Sequence, residues 1–509
     1  MTLAVGDAPV SLASIAAACD GGAQVVLTLA AQARVVAARR VVEKYAAGSE
    51  PIYGLNTGLG ANVGFRLDPA GIAAFQVQMI RGRTIGMGAA FPLPVARAAL
   101  LCRIIGLAQG GAGISPAVLD LLVAMFNAGV TPVIPGRGSI GAGDLGLCAH
   151  IGAVVIGRGQ AWFEDQLLPG AAALAAAGLT PATLGAKDGL GLLNASAVTC
   201  GHAARVLMEL SDLLAVALTA AALAGEGYAA NPAIFDARLA AARPARGQAA
   251  AAALFRRLLA GSYLYAPGGP RAIQDALSFR VLAQIAGPAL EAFRGAMEAV
   301  ETEVNAAADN PLVLAEDGVI LSTANFHTPA IALAFDTLAI ALCHLATASA
   351  QRVLKLMNPQ LSGLPRYLSP VGGVSTGFNS LQKTVSYLHA EIRLRATPAS
   401  LDNIPVSDTV EDHAPQTPLT VRKLEEQLLP FRMLAAIEAM VAAQAVDLRG
   451  AGPLGAATQA LYDAVRARVP ALTEDRETGP DADLVLDALT DPMLLEALQR
   501  YSTEPRCPG

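Results

Sequence analysis

Charge is scarce in this chain. Of 509 residues, 15% are Asp, Glu, Lys or Arg, with a net charge of -6 and an isoelectric point near 5.6. The 36 basic residues are scattered, whereas nucleic-acid phosphates attract clustered Lys and Arg, so a nucleic-acid partner is not expected. Cysteine is sparse too. Cys19, Cys102, Cys148, Cys200, Cys343 and Cys507 lie far apart with no CxxC spacing, which suggests neither a zinc site nor a disulfide framework. The N-terminus lacks the basic head and apolar core of a signal peptide. Nor is there an unbroken apolar run, although the mean hydropathy is +0.46. Leu213–Gly225 falls short of the roughly 20 residues a bilayer needs, and Pro329–Ala350 is interrupted by Asp336 and His344. The expectation is a soluble cytoplasmic protein with no membrane, nucleic-acid or metal partner.

What the chain does have is helix. It is 53% hydrophobic and dense in Ala and Leu, enough to bury a large core. Pro94–Ala108 and Ser115–Asn127 read as helices, the second closed by Asn127-Ala-Gly129. Gln160–Leu168 alternates as a small hairpin does. From about Ala195 the pattern lengthens into Ser196–Ala224, Pro288–Ala308, Thr328–Met357, Phe378–Thr397 and Val421–Asp447. Helices apolar nearly all round suit a bundle that is also an oligomer core. The expected division is a loop-rich N-terminal lid and signature-loop domain over 1–200, a central helical bundle over 201–450 and a looser helical appendage over 451–509.

Several motifs carry chemistry. Gly138-Ser139-Ile140-Gly141-Ala142-Gly143-Asp144-Leu145, continuing to His150, is a Gly-rich loop feeding a helix. Tyr53-Gly54-Leu55-Asn56-Thr57-Gly58-Leu59-Gly60 precedes it, and Lys187-Asp188-Gly189-Leu190-Gly191-Leu192-Leu193-Asn194 follows. Arg243–Gln248, Gln274–Arg280, Asn305 with Asp309-Asn310-Pro311, Asn325-Phe326-His327, Pro398-Ala399-Ser400 and Glu411-Asp412-His413 complete the series. Any one is weak, but the ordered set across roughly residues 50–415 is specific. It resembles the histidine/phenylalanine/tyrosine ammonia-lyase family. The resemblance implies an all-α, ammonia-lyase/fumarase-like fold with a long central bundle. It also implies a homotetramer whose active sites draw on three subunits, and a small carboxylate substrate.

The resemblance implies roles as well. Tyr53 is the base that removes a substrate proton, for which its phenol needs a lowered pKa near neutral pH; glycines 54, 58 and 60 give its lid freedom. Asn56, Asn194 and Asn325 line the site, although Asn also favours turns and caps on its own account. Phe326 lies beside them. Arg280 offers a two-pronged match to the substrate carboxylate, where the bland alternative is an ordinary ion pair. Glu411 lies near the substrate's amino end and is grouped with Tyr53 as catalytic, or is simply a solvated charge. Two departures stand out. Gly82-Arg83 occupies the place of Ser-His in the histidine enzymes, and Leu277 replaces a tyrosine. Arg83 either meets a second anionic group on the substrate or forms an inter-subunit salt bridge.

The largest departure is a missing residue. The family's loop carries Ala-Ser-Gly, which cyclises and dehydrates to the electrophilic methylidene-imidazolone (MIO); here Ala142 runs straight into Gly143. Without that serine no MIO is expected, and no other cofactor is implied. Elimination then needs a substrate that supplies its own activation, such as a proton α to a carboxylate with the leaving group one carbon on. Backbone amides of Gly141, Ala142, Gly143 and Asp144, at converging helix N-termini, are expected to cradle negative charge in place of the cofactor. The leading expectation is MIO-independent elimination or conjugate addition, breaking or forming a C–N, C–O or C–S bond. The alternatives are an inactive homologue kept for binding or assembly, and an ordinary histidine or aromatic amino acid ammonia-lyase.

Overall fold

The computed structural model describes residues 2–58, 63–68, 71–401 and 403–502. Leu59 and Gly60, which close the Tyr53 motif, and Cys507 lie outside the described residues. The chain is mainly helical, as the Ala- and Leu-rich composition predicts. The predicted helices are found at Leu93–Ala108, Pro116–Ala128, Ala197–Tyr228, Leu282–Val304, Pro329–Leu356, Leu381–Arg395 and Thr417–Arg449. Gly129 closes the second of these in the left-handed region, at φ 86°. The expected hairpin pairs Gln160–Phe163 with Gln166–Pro169.

Two expectations need correction. Proline does not mark the start of the 282–304 helix: Pro288 lies inside it, as Pro430 lies inside Thr417–Arg449. The apolar stretches are also longer than they read. Among the described residues, Asp188–Tyr228, Pro329–Leu356 and Thr417–Arg449 are each long and apolar enough to cross a bilayer. In their most apolar stretches 78%, 50% and 83% of the residues are buried, so the first and third are largely packed against protein while the second is half-covered.

The chain forms two compact units that interleave in sequence and so depart from the three-way division. The first comprises Met1–Met208, Gly295–Phe335 and Pro398–Arg422; the second comprises Glu209–Arg294, Asp336–Thr397 and Lys423–Gly509. Four of the dividing points fall inside long helices, where no change of composition marks them.

The first unit holds every described strand, including the parallel pair Thr2–Val5 and Gln24–Leu27 and the antiparallel pair Leu312–Leu314 and Val319–Leu321. One of its cores joins Ala38, Val41, Val42, Ile52, Leu55, Val313 and Ile320. Ile52 and Leu55 flank Tyr53 and Gly54, so this core roots the turn that carries the tyrosine. Helices 93–108 and 197–228 touch at Gly201, where a Cβ would stand 2.4 Å from the Ala99 nitrogen. The second unit is helical among its described residues. Close backbone contacts also tighten it, with a Cβ on Gly287 falling 2.5 Å from the Gly247 carbonyl carbon.

Candidate functional site

Asp144 is the hub of the signature loop. It is fully buried and caps the 197–228 helix: Oδ2 accepts from the Thr199 amide at 2.7 Å, and Oδ1 from Thr199 Oγ1 at 2.9 Å. The Ser139 hydroxyl donates to the same Oδ1 at 2.7 Å. Burial pushes the Asp144 carboxyl above its ordinary range, while the hydrogen bonds from Thr199 and Ser139 pull the other way. A carboxylate at a helix N-terminus is where the helix dipole favours negative charge. The chain's own carboxyl group therefore occupies the N-terminus of the 197–228 helix.

This corrects the cradle expected from Gly141–Asp144. The Asp144 amide donates to the Ala195 carbonyl at 2.8 Å, and the Gly141 amide to Ser139 Oγ at 3.3 Å, which narrows the candidate donors to Ala142 and Gly143. The loop is also pinned from outside. The Gly141 carbonyl accepts from Thr328 Oγ1 at 3.1 Å, the Ile140 carbonyl accepts from the Gln416 amide at 2.9 Å, and Ala142 bridges His327. Gly141 and Gly143 adopt φ of 85° and 74°. A Cβ on Gly143 would meet Leu145 Cδ1 at 2.9 Å and Asn194 Oδ1 at 3.2 Å, so the loop closes tightly over Asn194 and Phe326.

Elsewhere in the same unit, the turn at 52–56 presents Tyr53. Gly54 turns it at φ 66°, and Tyr53 is half-buried between buried Ile52 and Leu55. Asn56 is engaged within the turn itself. Its Oδ1 accepts from the Ile52 amide and its Nδ2 donates to the Glu50 carbonyl, both at 2.8 Å. It braces the turn, the bland role that Asn favours. Sequence reading missed Gln76, fully buried on the helix Ile72–Arg83. Its Oε1 accepts from the Gly189 amide at 2.9 Å and its Nε2 reaches the Gly54 carbonyl at 3.4 Å. It ties the Tyr53 turn to the short helix Asp188–Leu193, which ends at Asn194. No periodicity or motif distinguishes this glutamine from a surface one.

The same helix ends at Arg83. Burial lowers the Arg83 pKa, and its electrostatic interactions with Tyr53 and then Glu411 act in the opposite direction. Tyr53, Arg83 and Glu411 thus come together within a single unit of one chain. Arg83 has electrostatic partners there without an inter-subunit salt bridge. Glu411 is exposed on a turn, its Oε1 accepting from Ser407 Oγ at 2.7 Å. Residues 407–409 of that turn all have positive φ.

Asn194 is buried and donates to the Asn310 carbonyl at 2.8 Å. Asn325 is exposed and Phe326 half-buried. His327, next in sequence, shares a 2.8 Å hydrogen bond between its Nε2 and His413 Nδ1; burial and then His413 lower its pKa. A further group went unnoticed in the sequence. Partly buried Glu303 has an Oε1 without a hydrogen-bond partner, and burial, then the Asp144 charge, push its carboxyl up to about 7. Among the described residues no group of three or more His, Cys, Asp or Glu could hold a metal ion.

Leu277 and Arg280 belong to the second unit, at the two ends of the four-residue helix Leu277–Arg280. Both are exposed.

The helical framework, with its motif side chains on Gly-rich turns, is that of a lyase by its match to known proteins. More particularly, the aromatic amino acid lyase family model matches residues 10–467, and the chain belongs to that family. The histidine ammonia-lyase of Symbiobacterium thermophilum is 37% identical over 493 residues, covering 97% of each chain. That of Stigmatella aurantiaca is 40% identical over 482 residues, covering 93% of each. The crystal structure of ergothionase, an ergothioneine degrading enzyme from Treponema denticola, in complex with desmethyl-ergothioneine sulfonic acid, matches with a TM-score of 0.93. It is 33% identical, and the match covers 97% of this chain and 99% of that one.

Proposed function

We propose that this chain is a lyase of histidine-related, carboxylate-bearing small molecules that works without MIO, with Tyr53 as its base. The observation behind this reading is the shortened signature loop. MIO needs a serine next to Ala142, and that position is Gly143. Ser139, the loop's serine, lies on the far side of Ile140 and Gly141 with its hydroxyl donating to the buried Asp144 carboxylate. The residues present do not fit the cofactor.

In the proposed step the Tyr53 phenolate oxygen takes a proton from the carbon beside the one bearing the leaving group. The C–H electron pair becomes the new C=C bond, and the leaving group departs with the electrons of its own bond. Conjugate addition is the reverse. Either the proton is acidified by an adjacent carboxylate, or the leaving group departs readily unaided. The ergothioneine degrading neighbour favours the second route. Ergothioneine is a betaine whose fully substituted nitrogen has no lone pair to add to an electrophile and leaves as a neutral amine. Arg280 holds the substrate carboxylate, and Arg83, next to Tyr53 and Glu411, holds a second anionic or electron-rich group. Exposed Leu277 and Arg280 and the half-buried 329–356 helix support a homotetramer with shared sites. The convergence of Tyr53, Arg83 and Glu411 argues against an inactive homologue.

The curated relatives favour a second reading, an ordinary histidine ammonia-lyase. The two separate in one experiment that combines the intact mass of the purified protein with turnover of ergothioneine and of L-histidine. An unmodified mass with ergothioneine turnover, abolished by Tyr53→Phe, supports the first reading. A mass short by two waters with L-histidine turnover establishes the second.

A further inference from the structure

The second unit buries an ion pair in an apolar setting. Arg352, on the 329–356 helix, faces Glu438, on the 417–449 helix, with side chains 4% and 1% exposed. The contact is two-pronged: Nε to Oε1 at 2.5 Å and Nη2 to Oε2 at 3.0 Å, with Ser349 Oγ donating to Oε2 at 2.5 Å. Leu218, Leu282, Ile285, Leu345 and Phe431 surround it. Removing two charges from water is costly, and well-packed apolar residues in their place are often as stable or more so. The pair is therefore a weak source of stability, and its role is better sought in what it holds.

Arg352 has a third contact. Its Nη1 donates to the Ser278 carbonyl at 3.3 Å, in the helix Leu277–Arg280. A helix of four residues does not hold itself in place. This one is fixed by its surroundings: Phe279 stacks on Tyr228 at 4.0 Å and 17°, just upstream Asp275 Oδ2 accepts from the Asn231 amide at 2.7 Å, and Ser278 is held by Arg352. Stacking leaves a ring free to slide, whereas a guanidinium locked two-pronged on a carboxylate delivers its remaining N–H along a fixed direction.

We propose that Arg352 and Glu438 form a clamp that positions Arg280, setting the height and rotation of the 277–280 helix so that the Arg280 guanidinium meets the substrate carboxylate. Its link to activity rests on the carboxylate role given to Arg280 above. Neither clamp residue touches substrate; they are positioning residues.

The test is the double variant Arg352→Met with Glu438→Met, which replaces the pair by apolar side chains of similar length. Ser349 then bonds its own helix backbone. The melting temperature is expected to hold or rise, while amide hydrogen exchange at Phe279, Arg280 and Val281 quickens by about tenfold or more against an unchanged background. With ergothioneine as the assayed substrate, KM is expected to rise about tenfold while kcat moves less than about twofold. Glu438→Gln, which keeps the shape, gives a smaller change in the same direction if the double variant folds poorly. Wild-type exchange over 277–281 in a folded variant overturns the clamp, and so does faster exchange spread over the whole unit with a lowered melting temperature. Arg280→Lys separates the two claims. If it leaves KM unchanged while the double variant still loosens 277–281, the carboxylate role of Arg280 falls and the clamp stands.

Discussion

The signature loop and the Tyr53 turn are both glycine-rich, and both come from motifs that the family uses for chemistry, yet they are built in opposite ways. The loop at 138–144 turns inward. Its serine, its aspartate and two of its amides are engaged with the chain's own groups. The turn at 52–56 has its braces, Asn56 and Gln76, on the buried side and leaves Tyr53 half-exposed near Arg83 and Glu411. The difference is one of engagement: the loop's polar groups are largely taken up by the chain itself, whereas the turn keeps Tyr53 accessible beside two charged groups.

The comparison breaks most visibly at Tyr53. Tyr53→Phe is expected to lower kcat/KM by about 10³-fold with folding unchanged, as removal of a general base does; a loss below tenfold would mean the turn is not the reactive half. Next in size is Asp144→Ala. It strips partners from Ser139 and from the N-terminus of the 197–228 helix, and should destabilise the protein by about 3 kcal/mol in chemical denaturation. A loss confined to activity would return the loop to the chemistry.

Glu303 gives a pH-dependent check on the same buried centre. Its folded pKa of about 7 lies above the ordinary carboxyl value of 4.5, so the folded state binds more protons between those values. Its stability contribution is complete below about pH 4.5 and is lost as pH rises toward 7. Glu303→Gln should therefore add ~2 kcal/mol at pH 8, after discounting for partial exposure, and almost nothing at pH 4. Equal effects at both pH values would remove the Asp144–Glu303 coupling. The smallest effect is expected of Ser139→Ala: about 1 kcal/mol of net stability from the lost bond to Asp144 and the longer ones at Gly141 and Gly143, with turnover retained. Abolished turnover in a folded Ser139→Ala protein would place the chemistry in the loop after all.

Much of the fold was legible because its helices are Ala- and Leu-rich and their ends carry local signals, such as Gly129 with its positive φ. The division into units was not, because its boundaries fall within long helices of uniform composition. At the site, the motifs pointed to Tyr53, Arg83 and Glu411, and the structure brings them together. For Asn56 the sequence left two roles open, because one residue type serves equally well as ligand and turn brace, and its partners show the brace. The cradle was narrowed for a related reason. An amide is available to a ligand only if the chain has not filled it, and the Ala195 carbonyl and Ser139 Oγ fill those of Asp144 and Gly141, leaving Ala142 and Gly143. Gln76 and the Arg352–Glu438 pair were invisible because their meaning lies wholly in long-range partners.

The central claim is that the shortened loop carries no cofactor. The intact mass of the purified, active protein tests it most directly. The account predicts the mass of the unmodified sequence; a mass lower by two waters, in protein that turns over substrate, would contradict it.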